Sequence, residues 1–322
     1  MTTEQTPMQS GFGAKSTAAD VIASIDLTDK LAVVTGGHSG IGLETTRVLA
    51  RAGASVIVPT RSPEKAEQVI RDIPRVEIAR IDLLDPKSID AFAASVTANG
   101  RALHLLINNA GIMATPLLRD SRGFELQLAA NYLGAFQLTA RLWPSLVAAG
   151  GARVVNLSSG AHRWSRIDFD DPNFDRRSYD KWVAYAQSKT ACALFSLALD
   201  AKGEESSVRA FSVHPGRIET NLQRHVSNEE MRQKGWRDER GQIPAAIRSE
   251  YKTPAQGAAT TVWCATSPQL AGLGGVYCED VDIAQAEPAD YKGLDGVLPW
   301  ATDLAAAKRL WALSEALTDV RF

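Results

Sequence analysis

Leu31-Ala-Val-Val-Thr-Gly-Gly-His-Ser-Gly-Ile-Gly42 is the stretch on which the fold turns. Its first five residues, Leu31 to Thr35, form a short apolar run of the kind a buried strand needs. Ile41 to Ala52 then shows helical periodicity and stops at Gly53, a residue suited to a helix C-terminus. Between strand and helix lies a glycine-rich turn. Glycines there permit a tight bend and a close approach of backbone to an anion. The helix that follows offers free N–H groups and a favourable dipole. The spacing Gly36, Gly40, Gly42 departs from G-x-G-x-x-G, and such a turn alone is weak support. The strand before it and the helix after it supply the context that a pyrophosphate cradle requires. Gly36, His38, Ser39, Gly40, Ile41 and Gly42 are its candidate contacts.

Outward from this unit, strands and helices alternate. Strands are expected at Ser55–Thr60, Val76–Ile81, Leu103–Ile107, Arg153–Leu157 and Arg209–Val213. Helices are expected at Pro63–Asp72, Pro86–Ala98, Phe124–Val147 and Tyr179–Ala201. Strands apolar on both faces and separated by helices predict a parallel sheet covered on both sides. The fold class is therefore α/β: a doubly wound, Rossmann-type parallel sheet flanked by helices, in a single domain over 26–322. Residues 1–25 read as an N-terminal arm, mobile or loosely docked. From Asn221 to Thr253 charged residues, Trp236 and Tyr251 replace aliphatic ones, so 221–253 reads as an insertion, a lid over a site. A helix at Ala255–Ala265, a short strand at Gly275–Cys278 and an amphipathic helix at Leu304–Leu317 complete the chain.

Composition narrows the function. A formal net charge of −2 gives no broad electrostatic footprint for nucleic acid. Cys192, Cys264 and Cys278 are scattered, which does not look like a disulfide framework and favours buried thiols in a reducing compartment. No apolar run reaches the roughly 18 residues of a membrane span. Met1 to Lys15 is polar and lacks the layout of a secretory signal. These features predict a soluble, cytoplasmic protein with a small-molecule substrate and no nucleic-acid or membrane partner. A homo-oligomer, dimer or tetramer, is left open. No His/Cys/Asp cluster has ligand spacing, so no metal is expected.

The second strand ends at Thr60-Arg61. An acidic residue there would bind a ribose 2′-hydroxyl and repel a 2′-phosphate, whereas arginine grips a phosphate through paired N–H groups. NADP(H) is therefore favoured over NAD(H), with Arg61 as the discriminating contact. Asp82, after the third strand, is either an adenine-side contact or a turn former, and Leu83 follows it. Asn108-Asn109-Ala110-Gly111 sits at a strand's carboxyl end, where open α/β sheets bind ligands.

Tyr185-Ala-Gln-Ser-Lys189 lies within a long helical pattern, which puts Tyr185 and Lys189 on one face. A free phenol is a poor proton shuttle near neutrality, and a neighbouring lysine cation favours the phenolate. The spacing alone is common by chance. Asn156-Leu-Ser158-Ser159 follows another strand, and a hydroxyl there is placed to hold a substrate carbonyl.

Taken together, these motifs resemble the short-chain dehydrogenase/reductase family. The resemblance runs from about Thr35 to Gly216, and more loosely to the C-terminus. Its pieces are Thr-Gly-x-x-x-Gly-Ile-Gly at 35–42, Asn-Asn-Ala-Gly at 108–111, Asn131, Ser158-Ser159, Tyr-x-x-Ser-Lys at 185–189 and His-Pro-Gly at 214–216. It implies that Tyr185 is the general acid or base and that Lys189 assists it and binds the nicotinamide ribose. It further implies that Ser159 positions the carbonyl and that Asn131 holds a water linking Lys189 to solvent. Pro215, Gly216, Ile218 and Thr220 would flank the nicotinamide. The implied reaction interconverts carbonyl and alcohol on a small lipophilic or aromatic substrate. Reduction of a C=C bond, or a non-catalytic NADP-sensing scaffold, are the alternatives.

The wide gap between Ser159 and Tyr185, and the tail stretches 254–264, 272–277 and 310–315, look like the retinol dehydrogenase and WW-domain-containing oxidoreductase branch. No WW module and no N-terminal membrane anchor are read here, which puts a retinoid substrate in doubt. His162 and His214 are read as structural. The basic group Arg163, Arg166, Arg176 and Arg177 is offset by Asp168, Asp170, Asp171 and Asp175, so it reads as a solvated insert.

Overall fold

A computed structural model describes residues 3–322. In chain order the elements begin α1 (Ala18–Ile22), β1 (Leu31–Val34), α2 (Gly40–Arg51), β2 (Ser55–Thr60), α3 (Pro63–Ile70) and β3 (Val76–Arg80). Next come α4 (Pro86–Thr97), β4 (Leu105–Asn108), α5 (Leu126–Leu128), a π turn (Ala129–Leu133), α6 (Gly134–Ala148) and β5 (Ala152–Leu157). Then follow α7 (Lys181–Gly203), β6 (Val208–His214), β7 (Arg217–Ile218), α8 (Asn228–Gln233), β8 (Tyr251–Lys252) and α9 (Pro254–Thr266). β9 (Tyr277–Glu279), β10 (Asp282–Ile283) and α10 (Leu304–Thr318) end the chain.

The main sheet runs β10-β9-β6-β5-β4-β1-β2-β3. The chain winds outward from β1 to β3 on one side and from β4 to β6 on the other. The switch point therefore falls between β1 and β4, where a crevice opens at the strands' carboxyl ends. The apolar strands bury both faces. Ala32 and Val34 of β1 pack with Val48 of α2 and Trp263 of α9, while Leu31 and Val33 pack into the opposite layer. In that layer Phe136 of α6, Phe195 of α7 and Trp311 of α10 form one aromatic cluster, with Phe136 and Trp311 centroids 5.3 Å apart. Cys192, Cys264 and Cys278 are free and buried.

The expected doubly wound parallel sheet is present, with one departure at its edge, where β10 pairs antiparallel with β9. The two residues between them, Asp280 and Val281, have φ of 49° and 66°. Two positive φ values make the tight hairpin turn that asparagine and glycine normally signal, so a valine there hides it. Thr260 Oγ1 compensates by accepting from Val281 N at 3.0 Å.

One expectation needs correction: the arm is not loose. Met1 and Thr2 lie outside the described residues, but Gln5 is fastened to the sheet edge. Its Nε2 donates to Tyr277 O and Ala284 O at 2.8 and 2.7 Å, and its Oε1 accepts from Tyr277 N at 2.8 Å. Met8 N and Ser10 N donate to the Asp282 carboxylate at 2.9 and 3.1 Å. A polar arm can thus be tied down by side-chain-to-backbone bonds that leave no hydrophobic pattern in the sequence. Gln5→Ala is expected to cost about 1–2 kcal/mol of stability, since three bonds to edge backbone are lost. Urea unfolding checks it, and an unchanged midpoint would mean that the clasp carries no free energy.

Candidate functional site

A cleft of about 840 Å³ opens beyond the carboxyl ends of β1, β4, β5 and β6. The turn after β1 forms its floor. Gly36 and Gly40 hold φ of 67° and 53°, which glycine adopts without strain. A Cβ on Gly42 would lie 2.4 Å from Asn109 Nδ2 and 2.5 Å from Gly36 O. The turn is lashed to the neighbouring loop: Thr35 Oγ1 accepts from Asn109 N and Ala110 N, both at 3.0 Å, and Asn109 Nδ2 donates to Thr35 O at 2.9 Å. This bare backbone, running into the N-terminus of the twelve-residue helix α2, fits a pyrophosphate. His38, Ser39 and Ile41 line the same floor. His38 is half-buried, its Nδ1 has no hydrogen-bond partner, and burial holds its pKa below the usual range for histidine.

At one end of the cleft stand Arg61, Asp82 and Leu83. The Arg61 guanidinium makes no ion pair among the described residues, and Lys65, one turn into α3, lines the cleft beside it. Lys65 carries no motif, and its one signal in the sequence is a cation four residues past Arg61 at a helix start. Asp82 is a turn former, its Oδ1 accepting from Leu84 N at 3.0 Å, and the residue also lines the cleft. At the other end Pro215, Gly216, Ile218 and Thr220 line the wall. Arg217 and Ile218 of β7 pair with Tyr251 and Lys252 of β8, so the two ends of the 221–253 segment are stitched together. Trp236 and Tyr251 from that segment face the cleft.

The centre holds Ser159, Tyr185 and Lys189. Asp180 caps α7 by accepting from Trp182 N and Val183 N, so the helix starts two residues later than expected. Both Tyr185 and Lys189 are only 5% exposed. Lys189 Nζ donates to Leu157 O at 2.8 Å and lies 5.7 Å from the Tyr185 ring centre. Ser158 turns inward and donates to Lys189 O at 2.8 Å, whereas Ser159 Oγ caps the next turn at Ala161 N, at 3.1 Å.

Two residues named from the sequence stand outside the cleft wall. Asn108 points into the core, where Nδ2 donates to Asn156 Oδ1 at 2.8 Å and to Thr139 Oγ1 at 3.2 Å. A strand's side chains alternate, so Asn108 and Asn109 cannot both face the crevice. Asn131 lies in the π turn behind the wall. Its Oδ1 accepts from Ile112 N at 2.8 Å, and its Nδ2 donates to Ile112 O and Ser188 Oγ at 3.0 and 2.9 Å. It thereby pins the loop after Gly111 to α7.

His162 and His214 brace the Ser159 turn. Leu298 N donates to His162 Nε2 at 3.2 Å, leaving Nδ1 to donate to Ser159 O at 2.9 Å. His214 Nδ1 accepts from Gly160 N at 3.0 Å. Burial lowers their pKa values to about 4 and about 3, so both rings are neutral at pH 7. In the insert, Arg177 pairs with Asp168 and Asp171 at 3.6 and 3.8 Å. Among the described residues no helix is long and apolar enough to cross a membrane.

Comparison with known proteins adds four findings. The profile of the short chain dehydrogenase family matches residues 30–231. A protein of Streptomyces lividans named a probable oxidoreductase is 45% identical over 294 residues, covering 89% of this chain and 97% of its own. Human retinol dehydrogenase 11 is 36% identical over 298 residues, covering 91% and 86%. A crystal structure of an uncharacterised protein from Mycobacterium Paratuberculosis superimposes with a TM-score of 0.72 at 32% identity, covering 96% of this chain and 99% of the other.

Proposed function

This chain belongs to the short-chain dehydrogenase family, in its retinol dehydrogenase branch, and is an oxidoreductase; from that premise we propose that it interconverts a carbonyl and an alcohol with NADP(H), on a small lipophilic or aromatic substrate. The observation that carries the proposal is the convergence of Ser159, Tyr185 and Lys189 at the centre of one cleft whose floor is a backbone cradle.

When bound, the nicotinamide supplies or accepts the hydride. The chain's own residues handle the proton. Ser159 donates a hydrogen bond to the carbonyl oxygen and orients it. Tyr185 gives its phenolic proton to that oxygen during reduction and takes it back during alcohol oxidation. The Lys189 ammonium, held in place by Leu157 O, stabilises the phenolate left behind. Asn131 acts at one remove, by fixing the Gly111–Ile112 loop against α7. Support for an alcohol also comes from the relative named for retinol.

Arg61 and Lys65 support the choice of cofactor. They bring two cations to the end of the cleft where a 2′-phosphate would lie, and the second strand ends there in Thr60, with no acidic residue at that position. Arg61→Ala is expected to weaken NADPH binding by roughly ten- to a hundredfold, the range of a charge-assisted hydrogen bond, and to leave NADH affinity nearly unchanged. Titration of both cofactors against both proteins measures this. Equal affinity of the wild type for NADPH and NADH would remove the assignment. For the reaction, purified protein is given NADPH and a panel of ketones and aldehydes. Loss of NADPH absorbance with formation of the matching alcohol supports the reading, and a panel-wide absence of turnover defeats it.

A further inference from the structure

Three tryptophans meet at the substrate end of the cleft. Trp164 ends the 3₁₀ turn that starts directly after Ser159. Trp182 lies in the first turn of α7, three residues before Tyr185. Trp236 comes from the 221–253 segment, and all three rings line the cleft. The Trp164 and Trp182 centroids are 6.2 Å apart with planes at 82°, and those of Trp182 and Trp236 are 5.3 Å apart at 88°. Trp182 is the shared member, and α8 locks it. Its indole N–H donates to Glu230 Oε1 at 2.7 Å, and Lys181 pairs with Glu230 Oε2 at 2.5 Å. Lys234, just past α8, places Nζ 4.4 Å from the Trp182 ring centre.

Position along the chain ties these rings to the reacting group. Helix residues three apart are neighbours, about 5–6 Å between Cβ atoms, so Trp182 stands beside the Tyr185 phenol. A single short turn ties Trp164 to Ser159. Trp182 and Trp236 pack against the cluster that contains Tyr185, and Trp164 lines the same cleft, so aromatic surface adjoins the place where the carbonyl would be held. A ring bonded directly to the carbonyl carbon lies among the indoles and gains the edge-to-face attraction that aromatic pairs have beyond buried area. A saturated ring of the same size gains only the area.

We propose that the substrates are aryl aldehydes or aryl ketones, with the ring attached directly to the carbonyl carbon, and that Trp182 sets this preference. The proposal rests on the carbonyl-reducing reading above. The step balances with the groups already named. NADPH delivers hydride to the carbonyl carbon, the C=O π pair moves to oxygen, and that oxygen takes the Tyr185 proton. The products are a benzylic alcohol and NADP⁺, and the phenolate regains its proton from solvent.

The test compares benzaldehyde with cyclohexanecarbaldehyde as substrates for the NADPH-loaded protein. The ratio of their kcat/KM values is measured in the wild type, Trp182→Leu, Trp182→Phe and Glu230→Gln. Comparing ratios cancels the intrinsic reactivity of the two aldehydes. Trp182→Leu is expected to lower the ratio about tenfold, the upper range of an aromatic pair. Trp182→Phe keeps a ring and most of the preference. Glu230→Gln keeps an oxygen for the indole N–H but gives up the ion pair with Lys181 that holds it in place, so the ratio drops by about threefold. If Trp182→Leu fails to fold by circular dichroism, the last two variants decide.

A second readout needs no turnover. With NADP⁺ bound there is no hydride, so acetophenone and cyclohexyl methyl ketone only bind. Acetophenone is expected to quench tryptophan emission and to bind about tenfold more tightly, a difference that Trp182→Leu removes. Equal affinities, or a ratio that Trp182→Leu leaves alone, overturn the aromatic preference. If neither aldehyde is reduced, the carbonyl reading fails by itself and the two ketone affinities still decide this proposal.

Discussion

Tyr185→Phe is expected to lower turnover by about 10²- to 10⁴-fold, the worth of a positioned general acid or base, and to leave NADPH affinity close to that of the wild type. The substitution is a clean one. Tyr185 is buried in a cluster with Met113, Ala161 and Met231, so a phenyl ring fills the same space. Its hydroxyl makes no hydrogen bond to another described residue, so removing it strands no buried partner. The change therefore subtracts a proton donor and little else. Cofactor titration and thermal unfolding establish that fold and cradle survive. Steady-state kinetics on any carbonyl that the wild type reduces then give the answer. Undiminished turnover would mean that another group supplies the proton, and the assignment of Tyr185 would fall.

The second large effect concerns stability and pH. Glu279 sits at the end of β9, and burial raises its pKa from 4.5 to about 7. Gly296 N–H donates to its carboxylate and Arg163 lies nearby, both opposing the rise, while Asp280 and Asp295 add to it. Below about pH 4.5 the carboxyl is protonated whether the chain is folded or not, so it contributes no difference. Above pH 7 the folded protein holds a half-buried charge that the unfolded chain keeps fully in water. Stability is therefore lost as pH climbs from 4.5 to about 7, and the loss stays constant beyond. A gap of that size corresponds to about 3 kcal/mol. Glu279→Gln retains an oxygen for Gly296 N–H and never ionises. It should match the wild type at pH 5 more nearly than at pH 8, where its unfolding free energy should exceed the wild type's by up to that amount. Urea midpoints at the two pH values decide, and an identical difference at both would contradict the burial of an ionising carboxyl.

Much of this molecule can be read from residue types alone, for specific reasons. β1 and β4 are buried on both faces, so Leu31–Val34 and Leu105 to Ile107 are each written as an unbroken apolar run. The cradle is legible because close approach leaves no room for a Cβ at Gly42. Tyr185 and Lys189 are legible because a helix converts spacing into a shared face. The rest depends on contacts between distant segments. Asn108 and Asn109 are adjacent and alike, and only the strand's alternation separates a core amide from a cleft amide. The expected helix 124–147 begins at Leu126 because the Glu125 carboxylate caps Gln127 N and Leu128 N, and its π turn has no signature. Trp164 and Trp182 carry no motif, and Trp182 is marked only by its three-residue offset from Tyr185.

The clasp at Gln5 has a consequence for how the protein is made. Its partner Tyr277 lies 272 positions further on. At about 5–20 residues per second of synthesis, roughly a quarter of a minute to a minute separates the two on the ribosome. Through that interval the arm has emerged and its landing strand does not exist. The Gln5 segment is thus among the last to settle although it is translated long before its partners, and this part of the sheet is sealed only once Tyr277 and Ala284 have left the ribosome.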